Sequence, residues 1–285
     1  MTGPQLDADA VLWDARFALI RLDGGGCRSF LHGQTSARVE GSADGDLIQA
    51  CWLNATGRVQ ALLEIRLDAA GADVLILSGD ADRVANGFDR VIFPADRVRL
   101  GQPRQQRRVQ RLKAGMMPDP GDVRWLDERA DLPASWAGAA PADAEALERW
   151  RLRQGWPLGE HELTGDTNPF ELGLAHWIEL DKGCYLGQET VAKLASRGGV
   201  KQQLRCWTST DAEAATLRVG DQLSLSGQRA GVITGVAPEP STAGGFGLAL
   251  VRRQALDAEA LQAGSDDVTI SLKRPDAFCA PPTPS

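Results

Sequence analysis

Residues 58–68 alternate between apolar and polar side chains, and this pattern limits the possible fold more than any other local feature. The polar side is broken only by Leu62, and the apolar side consists of Val59, Ala61, Leu63, Ile65 and Leu67. A period of two is typical of a strand with one buried face. The apolar run 47–53 precedes this strand across a turn at 54–57, so together they predict a hairpin.

A third strand and a helix complete the predicted N-terminal arrangement. Residues 74–77 form a short apolar run. Asp80 then stands at an N-cap position, followed by Val84, Phe88 and Val91 at helical spacing, and Pro94 lies beyond the end. A meander followed by a helix favours an α+β fold over a doubly wound parallel sheet.

The C-terminal part has a different pattern. A helix is predicted over 143–154, with Leu147 and Trp150 directed inward, a Glu145–Arg149 pair on its surface and a glycine at 155 that ends it. Beyond residue 200, short apolar runs separated by glycines predict a small β-barrel or sandwich, with strands over 217–225, 230–236, 247–251 and 268–272. We therefore predict an N-terminal α+β region over 1–200 and a barrel over 201–285. Within them, 103–140 has no clear periodicity, and the Pro-rich end 275–285 is predicted to be a frayed tail.

Composition excludes several classes of protein. The 285 residues carry 31 Lys and Arg against 38 Asp and Glu, a net charge of −7, which argues against direct nucleic-acid binding because that requires a basic surface. No apolar run approaches the length of a membrane span, and no signal region opens the chain. The five cysteines are widely spaced and form no zinc motif, so we expect no metal site and a cytoplasmic protein with mostly buried thiols.

The octapeptide 182–189 reads Lys-Gly-Cys-Tyr-Leu-Gly-Gln-Glu and is the exception among these cysteines. Gly183 and Gly187 flank Cys184, and glycine permits a positive φ or a close approach of another chain, so the pair predicts a shaped loop. The ammonium of Lys182 and a helix predicted to begin near Gln188 or Glu189 both favour a thiolate. We therefore expect the pKa of Cys184 to lie below the free value of about 8.5.

These residues resemble the signature of the YgfZ-type folate-binding proteins, relatives of the glycine cleavage T-protein (aminomethyltransferase) that support iron–sulfur cluster proteins. The resemblance covers about 16–255 and is weak over roughly 103–140. It extends to the segments 30–35, 54–58, 155–157, 167–172, 191–193 and 197–199.

The resemblance implies a ring of three subdomains around a folate-sized opening. Two of them are interleaved α+β subdomains within 1–200, and the C-terminal barrel closes the ring. It implies tetrahydrofolate or a related reduced folate as the cofactor, and iron–sulfur cluster assembly proteins or client enzymes as partners; any link to tRNA modification would be indirect, through cluster enzymes. Cys184 and Lys182 are the implied catalytic residues, with Cys184 attacking a one-carbon adduct, exchanging with a partner thiol or briefly holding iron. The implied folate-binding residues are Phe17, Arg151, Lys182, Gly183, Tyr185, Gly187, Gln188 and Glu189.

Several of these residues also have a purely structural interpretation. Tyr185 is favoured as a packing residue that fixes the loop, and a carboxylate such as Glu189 in a first helical turn complements the helix dipole. A solvent-facing role is the favoured alternative for Arg151. Of the tryptophans at 125, 136, 150 and 156, most are expected to pack in a core, although aromatic faces suit a pterin.

Two further functions stay open. The T-protein has an acidic residue just after the turn that corresponds to 54–58, whereas Gln60 and Ala61 stand there in this chain, with no carboxylate before Glu64. Glutamine cannot act as a general base, so an aminomethyltransferase or demethylase is the alternative and not the favoured function. A scaffold with a vestigial folate pocket is the third possibility.

The glycines at 24–26 do not indicate a dinucleotide site. The position of the third glycine in that fingerprint is Ser29, and no βα unit is predicted to follow, so the segment is interpreted as a turn. The histidines His32, His161 and His176 show no ligand spacing.

Overall fold

The computed structural model describes residues 10–113, 120–136, 139, 141–197, 199–239 and 241–280. Parts of the predicted irregular segment 103–140 and the last five residues of the predicted tail lie outside the described residues. The chain divides into two compact units, Met1–Asp143 with His176–Ala192, and Ala144–Ala175 with Lys193–Ser285. The predicted domain boundary at residue 200 stays a prediction.

The first unit contains a seven-stranded antiparallel sheet. Its strands are β1 (Ala10–Asp23), β2 (Leu47–Leu53), β3 (Val59–Leu67), β4 (Gly71–Gly79), β5 (Arg99–Leu100), β6 (Arg104–Lys113) and β7 (Val123–Leu126). They are ordered β2-β3-β4-β1-β6-β7, and β5 pairs with β1. The predicted hairpin of β2 and β3 and the predicted strand β4 are confirmed.

This sheet differs from the prediction in two ways. No strand was predicted at β1, β5, β6 or β7, and the last two lie in 103–140, where the sequence has no clear periodicity. β3 was predicted to have one solvent-facing side, yet eight of its nine residues are buried, and Glu64 has no exposed surface. Both faces of β3 are therefore buried, and the alternation separates apolar side chains on one face from polar side chains on the other.

Two helices cover the apolar face of the sheet. α1 (Cys27–Gln34) follows the glycines 24–26, and α2 (Ala81–Asp89) has Asp80 as its N-cap, which accepts a hydrogen bond from the Arg83 amide. The turn at 24–26 is confirmed, and it joins β1 directly to α1, a strand–helix connection that was not predicted. Val84 and Phe88 are buried as predicted, whereas Val91 lies beyond the helix and is exposed. The core beneath these helices includes Phe30, Ala61, Leu63, Ile65 and Phe88.

The second unit combines one helix with a barrel. α3 (Ala144–Gln154) confirms the predicted helix, and its Glu145–Arg149 pair is formed at 2.8 Å. The barrel is closed by six strands in the order β10-β11-β8-β13-β12-β9. They are β8 (Gln202–Ser209), β9 (Gln222–Leu225), β10 (Gln228–Pro238), β11 (Gly245–Arg252), β12 (Ala260–Ala263) and β13 (Val268–Lys273). The prediction of a small barrel is confirmed, although β8 and β12 were not predicted.

One more helix, α4 (Gln188–Arg197), begins immediately after Gly187, where the sequence predicted its start. Within the described ranges, none of the helices combines the length and the apolar character that crossing a membrane requires. The helices and antiparallel sheets together confirm the predicted α+β class.

Candidate functional site

The loop formed by residues 182–187, here called the signature loop, is fixed on one side by Gly187. This glycine has a φ of +83°, and a Cβ atom on it would lie 2.6 Å from the carbonyl oxygen of Asn54 and 3.0 Å from the Cα atom of Gly57. The shaped-loop prediction therefore holds for Gly187. It was wrong for Gly183, which lacks a positive φ and has open space where a Cβ would stand.

Lys182 is the second fixed point of the loop. Its side chain is buried, and Nζ donates hydrogen bonds to the carbonyl oxygens of His32, Thr35 and Ala37 at 2.5, 2.5 and 2.8 Å. These carbonyls lie at and just beyond the C-terminal end of α1, where helices leave carbonyls unpaired and favour a positive charge. Burial lowers the pKa of Lys182 to about 8, while the carbonyl acceptors favour its charged form.

Tyr185 packs against the same ammonium. The Nζ atom of Lys182 lies 4.7 Å from the centre of the Tyr185 ring, and Tyr185 itself is only 7% exposed. Burial is the largest cause of the raised pKa of Tyr185. The loop is closed by the Leu186 amide, which donates to the Gly33 carbonyl, and by the Gln188 side chain, which donates to the Lys182 carbonyl.

Cys184 lies in the signature loop but stays exposed to solvent. All five cysteines are free; Cys184 is exposed, Cys27 and Cys51 are buried, and Cys206 and Cys279 are partly buried. Burial raises the pKa of both Cys51 and Cys206 to about 12. Cys184 is therefore the cysteine most accessible to a reaction partner.

The signature loop adjoins the turn that leads into β3. Gly57 has a φ of +70°, and a Cβ atom on it would lie 3.0 Å from the Cβ atom of Thr190 in α4 and 3.3 Å from the carbonyl oxygen of Gly187. Asn54 shapes this turn through its side-chain oxygen, which accepts hydrogen bonds from the Thr56 and Arg58 amides. The loop and the first residues of β3 are thus held side by side within the first unit.

The face of the sheet opposite α1 and α2 carries aromatic and polar side chains, and we call it the polar face. Three of its aromatic residues, Trp13, Phe17 and Trp125, are partly exposed. Trp13 and Phe17 lie four residues apart on β1, with ring centres 5.3 Å apart in an edge-to-face arrangement. Arg108 pairs across from Ala15 and lies 4.9 Å from the Trp13 ring and 5.8 Å from the Phe17 ring.

A buried ion pair lies beside these rings. Arg108 donates through Nε and Nη2 to both oxygens of Glu64, at 2.8 and 2.7 Å, and neither side chain is exposed. The Trp125 indole donates to the same carboxylate at 3.2 Å. β4 and β1 separate β3 from β6, so this ion pair is made across two intervening strands, about 14 Å in a flat sheet.

The predicted folate-binding residues lie in two places. Phe17, Lys182, Gly183, Tyr185, Gly187, Gln188 and Glu189 belong to the first unit, whereas Arg151 belongs to the second. The solvent-facing interpretation of Arg151 was wrong. It is buried and donates to Glu148, to Glu162 and to the Trp156 carbonyl, so its guanidinium is occupied within the unit.

Sequence reasoning missed Trp13 and Arg108. Residues 11–22 contain alternating apolar positions that would have indicated β1 and placed Trp13 and Phe17 on one face. β6 was missed because two of its polar side chains, Arg108 and Gln110, are buried although polar residues are normally expected at the surface. Trp136, Trp150 and Trp156 are buried and confirm the expectation of core packing.

Gln60 lies on β3, four residues before Glu64, at a register shift where Leu53 pairs with Val59 and Trp52 pairs with Ala61. It is buried and its amide nitrogen donates to the Arg58 carbonyl at 3.3 Å. No carboxylate lies on β3 before Glu64, and Glu64 is engaged by Arg108. Within the described ranges, no group of three or more His, Cys, Asp or Glu side chains is placed to hold a metal ion.

The chain is similar to one protein-family model and to several known proteins. Residues 208–278 match the family model described as the CAF17 C-terminal beta-barrel domain. An Arabidopsis thaliana chloroplastic protein named as a candidate transferase is 25% identical over 85% of this chain and 65% of its own length. The aminomethyltransferase of Moorella thermoacetica is 32% identical over 44% of this chain and 36% of its own length. The chain thus spans less than two thirds of each relative.

The fold is also found in a solved structure. The crystal structure of the glycine cleavage system aminomethyltransferase T from Bartonella henselae matches with a TM-score of 0.73 over 97% of this chain and 88% of that one, at 16% identity. The T-protein-like fold class predicted from the sequence is therefore confirmed.

Proposed function

Because this chain is a YgfZ-type protein with the fold of the glycine cleavage T-protein, we propose that it binds a reduced folate, such as tetrahydrofolate, and supports the assembly or repair of iron–sulfur clusters. In this proposal Cys184 is the functional thiol. The observation that carries it is the packing of the signature loop, with its exposed cysteine, against the turn that leads into β3.

The polar face supports the folate part of the proposal. A pterin is a flat heterocycle, and partly exposed aromatic rings beside fixed polar groups suit such a ligand. Trp13, Phe17 and Trp125 supply the rings, and the Glu64–Arg108 pair supplies polar groups held in one geometry. Phe17, which the sequence resemblance implies as a folate contact, lies on this face.

Calorimetry with tetrahydrofolate tests folate binding. Phe17→Leu and Trp125→Leu keep apolar volume but remove the ring, and each is expected to weaken binding about 2- to 10-fold, from a ring contribution of about 0.5–1.5 kcal/mol. Phe93→Leu is the matched control, because Phe93 is 63% exposed and lies after α2, away from the polar face. Absence of binding by the wild-type protein at millimolar tetrahydrofolate would refute the folate part.

The aminomethyltransferase alternative is favoured by the names of several relatives. Against it stands Gln60, which is not a base, and Glu64, whose carboxylate is held by Arg108 and Trp125. We expect no glycine-cleavage aminomethyl transfer by the wild-type protein. Robust turnover in that assay would favour the alternative.

Complementation tests the thiol. In a strain that lacks this protein, Cys184→Ser is expected to fold and bind folate but to restore cluster-enzyme activity poorly. Cys279→Ser is the control, since Cys279 is partly buried and lies outside the signature loop. Full complementation by Cys184→Ser would make this cysteine structural. Client enzymes, indirect effects on tRNA modification and a cytoplasmic location remain parts of the proposal; the Arabidopsis relative is named as chloroplastic.

A further inference from the structure

Lys182 stands two residues from the functional thiol, yet its ammonium is taken up elsewhere. A lysine ammonium has three N–H donors, and Lys182 uses them on three carbonyls, those of His32, Thr35 and Ala37. The Tyr185 ring lies against the same group. All three N–H donors of Lys182 are thus used within the protein, and none is left to donate to the sulfur of Cys184.

The signature loop is held at both of its ends, and the contacts of Lys182 hold the first end. On the other side, Gly187 lies against Asn54, and the Leu186 amide donates to Gly33 at 3.2 Å. The Gln188 side chain donates back to the Lys182 carbonyl at 3.3 Å and closes the loop on itself. Between these anchors stands the exposed Cys184.

We propose that Lys182 is a positioning residue that fastens the signature loop to the C-terminal end of α1 and acts on Cys184 through the place of the loop rather than through its charge. The proposal deepens the proposed function, because it rests on Cys184 as the functional thiol. It replaces the expectation that Lys182 chiefly stabilises a thiolate.

The surroundings of Lys182 agree with an anchoring role. The charged groups that act on its ammonium are Arg38, Glu40 and Glu179, one cation and two carboxylates, and none of them replaces the carbonyl contacts. Loss of the ammonium would leave three buried or partly buried carbonyls without this donor, and unmade hydrogen bonds in an interior are costly. The loop would then leave α1 more readily.

The rate of hydrogen exchange in the peptide 183–188 measures how strongly the signature loop is held against α1. Lys182→Met keeps the aliphatic stem but has no donor, and we expect exchange in this peptide to become at least about tenfold faster, since loss of several hydrogen bonds exceeds the free energy of a tenfold change. Lys182→Arg keeps a cation that can donate and should restore part of the protection. Lys201→Met, a substitution of an exposed lysine, should exchange like the wild type.

The pH profile of iodoacetamide labelling at Cys184 separates position from charge. If Lys182 acts through position, the midpoint of the profile in Lys182→Met stays at the wild-type value while complementation falls. A direct effect of the charge would instead raise the midpoint by about one pH unit or more. A raised midpoint together with wild-type exchange in the loop overturns the proposal.

Two variants at Tyr185 provide an independent test if Lys182→Met does not fold. Tyr185→Phe keeps the ring and removes a buried hydroxyl that has no partner among the described residues, so it should preserve loop protection. Tyr185→Leu removes the ring beside the ammonium and should speed exchange. Equal rates of hydrogen exchange in the two variants would contradict the anchoring role of Lys182. Full complementation by Cys184→Ser would refute the proposed function, but exchange and labelling would still decide how Lys182 acts.

Discussion

Removal of one partner of the Glu64–Arg108 pair is expected to destabilise the first unit strongly. In Arg108→Met the carboxylate of Glu64 keeps the Trp125 indole as a donor but loses both guanidinium contacts, at 2.8 and 2.7 Å. Both side chains are fully buried, so water cannot replace the lost donors. Breaking a buried pair in this way costs about 3–5 kcal/mol.

The double variant separates the cost of an unpaired charge from the value of the pair. Glu64→Leu combined with Arg108→Met replaces both ions by apolar groups, so the free energy of unfolding should return to within about 1–2 kcal/mol of the wild type. Arg16→Met is the matched control in the same unit. Arg16 and Glu128 also form an ion pair, but 59% and 58% of their side chains are exposed, so little change is expected.

Urea denaturation gives the free energy of unfolding, and hydrogen exchange of the β3 and β6 amides assigns the change to the first unit. The slope of the urea dependence should be unchanged if only stability is altered. The reasoning is refuted if Arg108→Met costs less than about 1 kcal/mol, or if the double variant is as unstable as the sum of the two single variants.

Three further outcomes are expected. Gly187→Ala should destabilise the signature loop because of its positive φ and the 2.6 Å approach to Asn54, whereas Gly183→Ala should fold like the wild type; similar melting temperatures for both would contradict this. Asp80→Ala should cost about 1 kcal/mol of unfolding free energy through loss of the α2 cap, measured by urea denaturation. Burial, together with the charge of Lys182, lowers the pKa of His32, so the unfolded chain binds a proton that the folded protein resists. His32 should therefore reduce the stability as the pH drops below about 6.5, and its contribution should be less than about 1.4 kcal/mol per pH unit. Burial lowers the pKa of His176 to about 4, so His176 adds to the fall, and the total fall should be smaller in His32→Gln.

The sequence by itself determined the elements whose signals are local. The hairpin of β2 and β3, the Asp80 cap of α2, the helix over 144–154 and the start of α4 after Gly187 follow from periodicity, capping and glycine, which act within a few residues. The strands of the second unit, separated by glycines, likewise predicted a small barrel or sandwich, and the structure shows a closed barrel. The shape of the signature loop at Gly187 was predicted for the same reason.

Only the tertiary structure decided which polar side chains are interior. Arg108, Glu64 and Arg151 look solvated in sequence because a charge is normally placed at the surface. Each is buried because a partner distant in sequence neutralises it, and that partner is 44 residues away for the Glu64–Arg108 pair and 11 for Arg151 with Glu162. Lys182 is the sharpest case: adjacency in sequence assigned it to Cys184, whereas folding brings it to carbonyls about 150 residues earlier and leaves the thiol exposed. Local sequence patterns indicate where helices and strands form. Burial of a charged side chain also needs a partner, and only the folded protein brings that partner into contact.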